Sequence, residues 1–151
     1  MRLPVIAVLA AASLPAQVAH AVPSEMRPLI MLQGEWRTPD GWMDFNFSET
    51  NLKMMVRGRE NANGPWREMM VIFPKDGEVY ADFHSIHYRL RESSSARLIF
   101  EDDPAPGKPL HRMTYTRGAV SDQMTYRLET GGRVTDTGLM TRAPLIRPLT
   151  E

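Results

Sequence analysis

The chain has 151 residues, with 18 Lys+Arg balanced by 18 Asp+Glu, 4 His and no cysteine, and its hydrophobic fraction is 42%. That length and apolar content suit one folded domain rather than a disordered chain. Zero net charge argues against a nucleic-acid partner, and the missing cysteines exclude disulfides, thiolate metal sites and a Cys nucleophile.

Residues 1–21 read as an address. Met1-Arg2 is charged, Leu3 to Leu14 is apolar, and Ala19-His20-Ala21 gives the small-x-small pattern that precedes cleavage. Charged, apolar and small-residue regions in that order make a secretory signal peptide. The apolar run is too short for the ~20 residues of a spanning helix. The processed chain is expected to begin near Val22, to lack a membrane span after cleavage, and to be periplasmic or secreted. Residues 22–142 form the expected domain, and 143–151, with two prolines, a loose tail.

Beyond a weak helix signal at Ser24 to Leu32, the chain alternates in short extended runs. Strands are expected near 35–38, 42–47, 52–60, 66–73, 78–84, 86–91, 97–101, 111–117, 123–129 and 134–142. Turn chemistry separates them, as in Pro39-Asp40-Gly41, Asn61-Ala62-Asn63-Gly64-Pro65, Pro74-Lys75-Asp76-Gly77 and Thr130-Gly131-Gly132. Gly and Asn accept positive φ at such places, and Pro presets a turn start. Asp102 to Pro109 is the one long connection, and its three prolines forbid regular pairing. Val79, Ala81 and Phe83 alternate with Glu78, Tyr80 and Asp82, and Met124, Tyr126 and Leu128 with Thr125, Arg127 and Glu129. A period of two puts each set on one face of a sheet.

Ten sequential antiparallel strands leave two open edges unless they close, and closure removes both. Polar and apolar residues share one face in His111, Met113, Tyr115 and Arg117, which a dry sandwich core would not tolerate. The expected class is all-β, an antiparallel up-and-down barrel of about ten strands.

Leu32-x-Gly34-x-Trp36 resembles the opening signature of lipocalins and other calycin barrels. The resemblance implies that Gly34 and Trp36 close one barrel end with a basic residue of the last strand, here Arg142. Over residues 29–142 the chain also resembles a lipocalin-like family of unknown function common in exported bacterial proteins. The matching pieces are Leu32-x-Gly34-x-Trp36, Glu68-Met69-Met70-Val71-Ile72, Ile99-Phe100-Glu101 and Arg112-Met113-Thr114-Tyr115. That family carries Asn and then His-Asp-Phe-Pro in the long loop, where this chain has Asp102, Asp103 and Lys108-Pro109. The resemblance implies a fold and no reaction.

Methionine is the compositional outlier, with 11 residues and adjacent pairs at Met54-Met55 and Met69-Met70. If 61–65 closes a hairpin from Glu60 to Trp66, Val56 faces Met70 and Met54 faces Ile72. Unbroken alternation then puts Leu52, Met54, Val56, Gly58, Trp66, Glu68, Met70 and Ile72 on one inward face. Met54, Trp66, Met70 and Ile72 become candidate lining for a small apolar ligand, since Met adapts to varied shapes. Glu68 and His111 are candidates for a polar contact. For Glu68 the competing reading is an ion pair with Arg57, Arg59 or another Arg, because an unpaired buried carboxylate is costly.

No metal or cofactor site is expected. Adjacent methionines on a strand point to opposite faces, His84 and His87 diverge in extended chain, and zinc, P-loop, dinucleotide and nucleophile-elbow motifs are missing. No catalytic residue is assigned. The leading expectation is therefore a non-enzymatic ligand binder. An enzyme using the cavity is one alternative. The other is a homodimer formed through an outer apolar face of Met55, Met69, Val71 and Phe73.

Overall fold

The structure, a computed structural model, describes residues 22–144. The signal peptide and most of the C-terminal tail inferred from the sequence lie outside these residues.

The chain first makes a 3₁₀ helix, Ser24–Leu32, with Pro28 inside it. Met26, Leu29 and Leu32 are fully buried. Their spacing of three matches the three residues per turn of a 3₁₀ helix, so one straight stripe faces the core. Tertiary burial thus sustains a helix far longer than the usual single turn. Ser24 does not cap it; its hydroxyl bonds Glu25 instead, at 3.2 Å.

Ten strands complete the domain: β1 (Gly34–Thr38), β2 (Gly41–Ser48), β3 (Lys53–Arg59), β4 (Arg67–Lys75), β5 (Glu78–Phe83), β6 (Ile86–Ser93), β7 (Arg97–Asp102), β8 (His111–Arg117), β9 (Gln123–Thr130) and β10 (Arg133–Arg142). Each pairs antiparallel with the next, and β1 pairs with β10, so the sheet closes into an up-and-down barrel. This is the architecture expected from the strand count. The closing seam is short: only Trp36↔Arg142 and Arg37↔Thr141 pair across it. Most of β10 therefore extends past the end of β1.

Alternation fills the interior. Phe45, Val56, Ile72, Ala81, Leu98, Phe100, Met113, Met124 and Met140 are buried, and no charged or polar residue is fully buried among the described residues. The mixed face of β8 resolves by depth: Met113 and Tyr115 are buried mid-barrel, His111 is half-buried at one rim, and Arg117 is exposed at the other.

Two departures from simple alternation matter. Leu52 sits in the β2–β3 turn at φ 57°, outside β3, so it does not extend the inward row. In the β3–β4 pair, Met54↔Ile72 and Val56↔Met70 face each other, but the register then shifts to Arg57↔Glu68 and Gly58↔Arg67. Met69 is the extra residue of a β-bulge, which locally breaks alternation. Trp66 and Glu68, placed inside by unbroken alternation, consequently lie on the outer surface.

The candidate functional site: a methionine-lined barrel mouth

The two barrel ends are built differently. At one end the 3₁₀ helix lies against the sheet beside β4 and β5. Trp36 is fully buried and its indole N–H donates to the Leu32 carbonyl at 2.7 Å. The Arg142 guanidinium lies 4.2 Å from the centre of the Trp36 ring and donates to the carbonyls of Gln33 and Met31. Gly34 has φ 112°, and a Cβ there would stand 2.8 Å from Arg142 Nη1. Gly34, Trp36 and Arg142 are thus brought together, with the arginine stacked on the indole and pinning the helix end to the last strand.

The opposite end carries the 39–40, 60–66, 84–85, 103–110 and 131–132 connections. Here the barrel holds a cavity of about 340 Å³. Its walls include Met43 on β2, Val56 and Gly58 on β3, Met69 and Met70 on β4, Phe83 on β5, Met113 and Tyr115 on β8, and Tyr126 and Leu128 on β9. The bulge brings both adjacent methionines to it, against the expectation that neighbours on a strand must diverge. A Cβ on Gly58 would lie 2.2 Å from Met69 Sδ. The thioether therefore occupies the space where any other residue at 58 would place its side chain. Four thioethers, from Met43, Met69, Met70 and Met113, share one cavity.

Of the residues proposed from sequence as ligand contacts, Met70 lines this cavity. Met54 and Ile72 are buried in the packed core and do not reach it. Trp66 and Glu68 lie outside. The Arg59 guanidinium stacks 4.3 Å from the Trp66 ring and 5.6 Å from that of Trp42, while Arg57 lies 5.6 Å from Trp66 and Arg37 5.6 Å from Trp42. These alternating rings and guanidiniums tie β1, β2, β3 and the 60–66 loop together across the outer face. Glu68 finds its expected partners engaged: Arg57 pairs with Asp44 at 2.6 Å and Arg59 with Glu35 at 2.8 Å.

His111 stands at the rim but not on the cavity wall. Asp102 accepts its backbone N–H at 2.8 Å through Oδ1 and lies 2.7 Å from Nδ1 through Oδ2. An ionised carboxylate only accepts, so Nδ1 carries the shared hydrogen and Nε2 is left as the acceptor in the neutral ring. Nearby, burial first, and then the charge of Asp102, push the Tyr88 hydroxyl above its ordinary pKa.

Tyr115 supplies the cavity's most unusual polar atom. The residue is 3% exposed, and its hydroxyl reaches only Met113 Sδ, at 3.9 Å. Burial, with smaller contributions from Tyr88 and Tyr126, drives its pKa far above the ordinary tyrosine value. The hydroxyl is a neutral donor at any physiological pH, with only a weak sulfur acceptor. At the rim, the Tyr126 hydroxyl lies 3.5 Å from Asp136 Oδ1, and Asp40 and Glu60 border the same opening.

Sequence reading missed Met43, Phe83, Met113, Tyr115 and Tyr126 as cavity residues. Their alternation marks them as inward-facing, but depth along the barrel depends on strand stagger, which no local pattern records. His84 and His87 do separate: His84 sits in the β5–β6 turn, and His87 stacks on Tyr80 with ring centres 4.9 Å apart. No cluster of three metal-ligating His, Cys, Asp or Glu side chains occurs among the described residues. The outer apolar face loses Met69 to the cavity, and Phe73 is covered by Lys53, 5.9 Å above its ring, and by Tyr80. No helix among the described residues is long and apolar enough to cross a membrane.

Comparison with protein-family models, with curated proteins and with solved structures gives no match.

Proposed function

We propose that this chain is an exported, lipocalin-like, non-enzymatic protein that receives a small, mostly apolar ligand through the open end of its barrel. The observation that carries the reading is the cavity of about 340 Å³ walled by Met43, Val56, Met69, Met70, Phe83 and Met113. It falls at the small end of the range typical of ligand pockets. Thioether side chains turn about three bonds and are polarisable, so such walls adapt to more than one shape. Affinity would come from apolar area removed from water, at ~25 cal/mol per Å². The Leu3 to Leu14 apolar run with Ala19-His20-Ala21 after it supports export.

The neutral fluorophore N-phenyl-1-naphthylamine tests this reading. Saturable uptake of one probe per chain with a blue-shifted emission is expected. Met43→Trp, which fills the mouth, should lose that uptake while keeping the wild-type circular dichroism and melting profile. Absent uptake, or equal uptake by the variant, would refute the proposal.

A further inference from the structure

The charges around the cavity narrow the class of ligand. Asp136 and Asp40 border the opening, on β10 and in the β1–β2 turn, at the place where the short β1 leaves its edge of β10 unpaired. Both belong to the side of the mouth where Tyr126 presents its hydroxyl, 3.5 Å from Asp136 Oδ1. After burial itself, the charges of Asp136 and Asp40 raise the pKa of that hydroxyl, which places both carboxylates within electrostatic reach of one point. Neither has a Lys, Arg or His partner within 4.0 Å among the described residues, and Glu60 adds a third unpaired acid.

Two arginines also border the cavity, and they are not equivalent. Arg59 is ion-paired to Glu35 at 2.8 Å and stacked on Trp66. Arg67 is exposed on the far side of the mouth, on β4. The unpaired charge at the opening is thus predominantly negative, above apolar and aromatic walls. Within those walls lies a second polar feature, the almost wholly buried Tyr115 hydroxyl, whose one partner is the weak sulfur acceptor of Met113.

We infer that the ligand is an amphipathic organic cation: an apolar body seated among the methionines, with an ammonium-type head at the rim between Asp136, Asp40 and the Tyr126 ring. Aromatic faces and carboxylates both favour a positive head, and an apolar surround strengthens the attraction by lowering the local dielectric. A carboxylate-headed ligand would meet like charge at the same place. This inference deepens the proposed function and rests on the same cavity.

Isothermal titration of the full exported protein with three probes of equal chain length separates the two claims. The probes are octyltrimethylammonium, octanol and octanoate, each below its aggregation concentration. The ammonium probe is expected to bind roughly tenfold more tightly than octanol, and octanoate more weakly than either. Asp136→Asn and, independently, Asp40→Asn should each reduce the ammonium affinity several-fold toward that of octanol and leave octanol binding unchanged. The two variants guard against a fold effect confined to the Tyr126–Asp136 contact. If octanol binds but the ammonium probe shows no advantage, or the Asn variants leave that advantage intact, the cation inference fails and the apolar pocket stands. If none of the three binds, both fail.

Discussion

One barrel, built by one alternation rule, ends in two different ways. At the closed end a 3₁₀ helix buries Met26, Leu29 and Leu32, Trp36 is wholly inaccessible, and Arg142 stacks on its ring. At the open end no helix among the described residues covers the strands, and methionine and aromatic side chains line a cavity. The difference lies in the segments that flank the alternating core. A helix with apolar spacing three supplies one end with a lid of matching period, while the described residues at the other end form turns and a proline-bearing loop. A packed apolar cap therefore distinguishes one pole and a methionine-lined cavity the other.

If that contrast holds, truncations should cost unequally. Trp36→Ala removes a fully buried indole with its hydrogen bond and stacked arginine, and is expected to destabilise by about 3–5 kcal/mol in urea unfolding. Met43→Ala, beside existing space, should cost only about 1 kcal/mol. Equal costs would erase the distinction between the poles.

High pH sharpens the contrast from within the cavity. The Tyr115 pKa is raised in the folded state, so its contribution to stability is fully present below the unfolded value near 10.0 and is lost as pH climbs above it. The expected slope is about 1.4 kcal/mol per pH unit until the folded pKa is reached. Tyr115→Phe should remove that component of the slope and leave those of Tyr88 and Tyr126. An unchanged alkaline slope in that variant would mean the hydroxyl is not sequestered from water.

The bulge can be probed by a double-mutant cycle. Gly58→Ala should cost about 1 kcal/mol when Met69 Sδ occupies the site. In a Met69→Ala background the same change should become neutral or mildly stabilising, because a strand interior otherwise disfavours glycine by about 0.5–1 kcal/mol. Additivity would place Met69 elsewhere. The smallest effect belongs to the β5–β6 turn at the open end, where His84 and Ser85 adopt φ of 48° and 62°. Ser85→Gly should relieve left-handed strain and stabilise thermal unfolding by about 0.5 kcal/mol.

Much of the barrel was legible because its signals are local. Pro39-Asp40-Gly41 and Thr130-Gly131-Gly132 mark turns by the backbone angles they permit, and the prolines between Asp102 and Pro109 mark the one long loop. Alternation then set Val56 against Met70 and Met54 against Ile72. The same rule failed a few residues later, since nothing in Glu68-Met69-Met70 says that a residue is extra: either methionine suits an inward site. That single insertion reversed Trp66 and Glu68 and drew Met69 into the cavity. The stacked Arg59 and Trp66 were equally silent, because a contact across the outer face depends on register and not on spacing within one strand. Whether the interior is filled or open depends on stagger and side-chain volume summed around ten strands, which no window of sequence contains.

Methionine itself offers the most direct measurement, because it occurs at both poles. With ¹³C-methyl-methionine labelling, titration with octyltrimethylammonium should shift the methyl signals of Met43, Met69, Met70 and Met113. Met26, Met124 and Met140, buried away from the cavity, should stay in place. Shifts confined to the latter group, or spread evenly over both, would contradict a barrel that is closed at one end and receptive at the other.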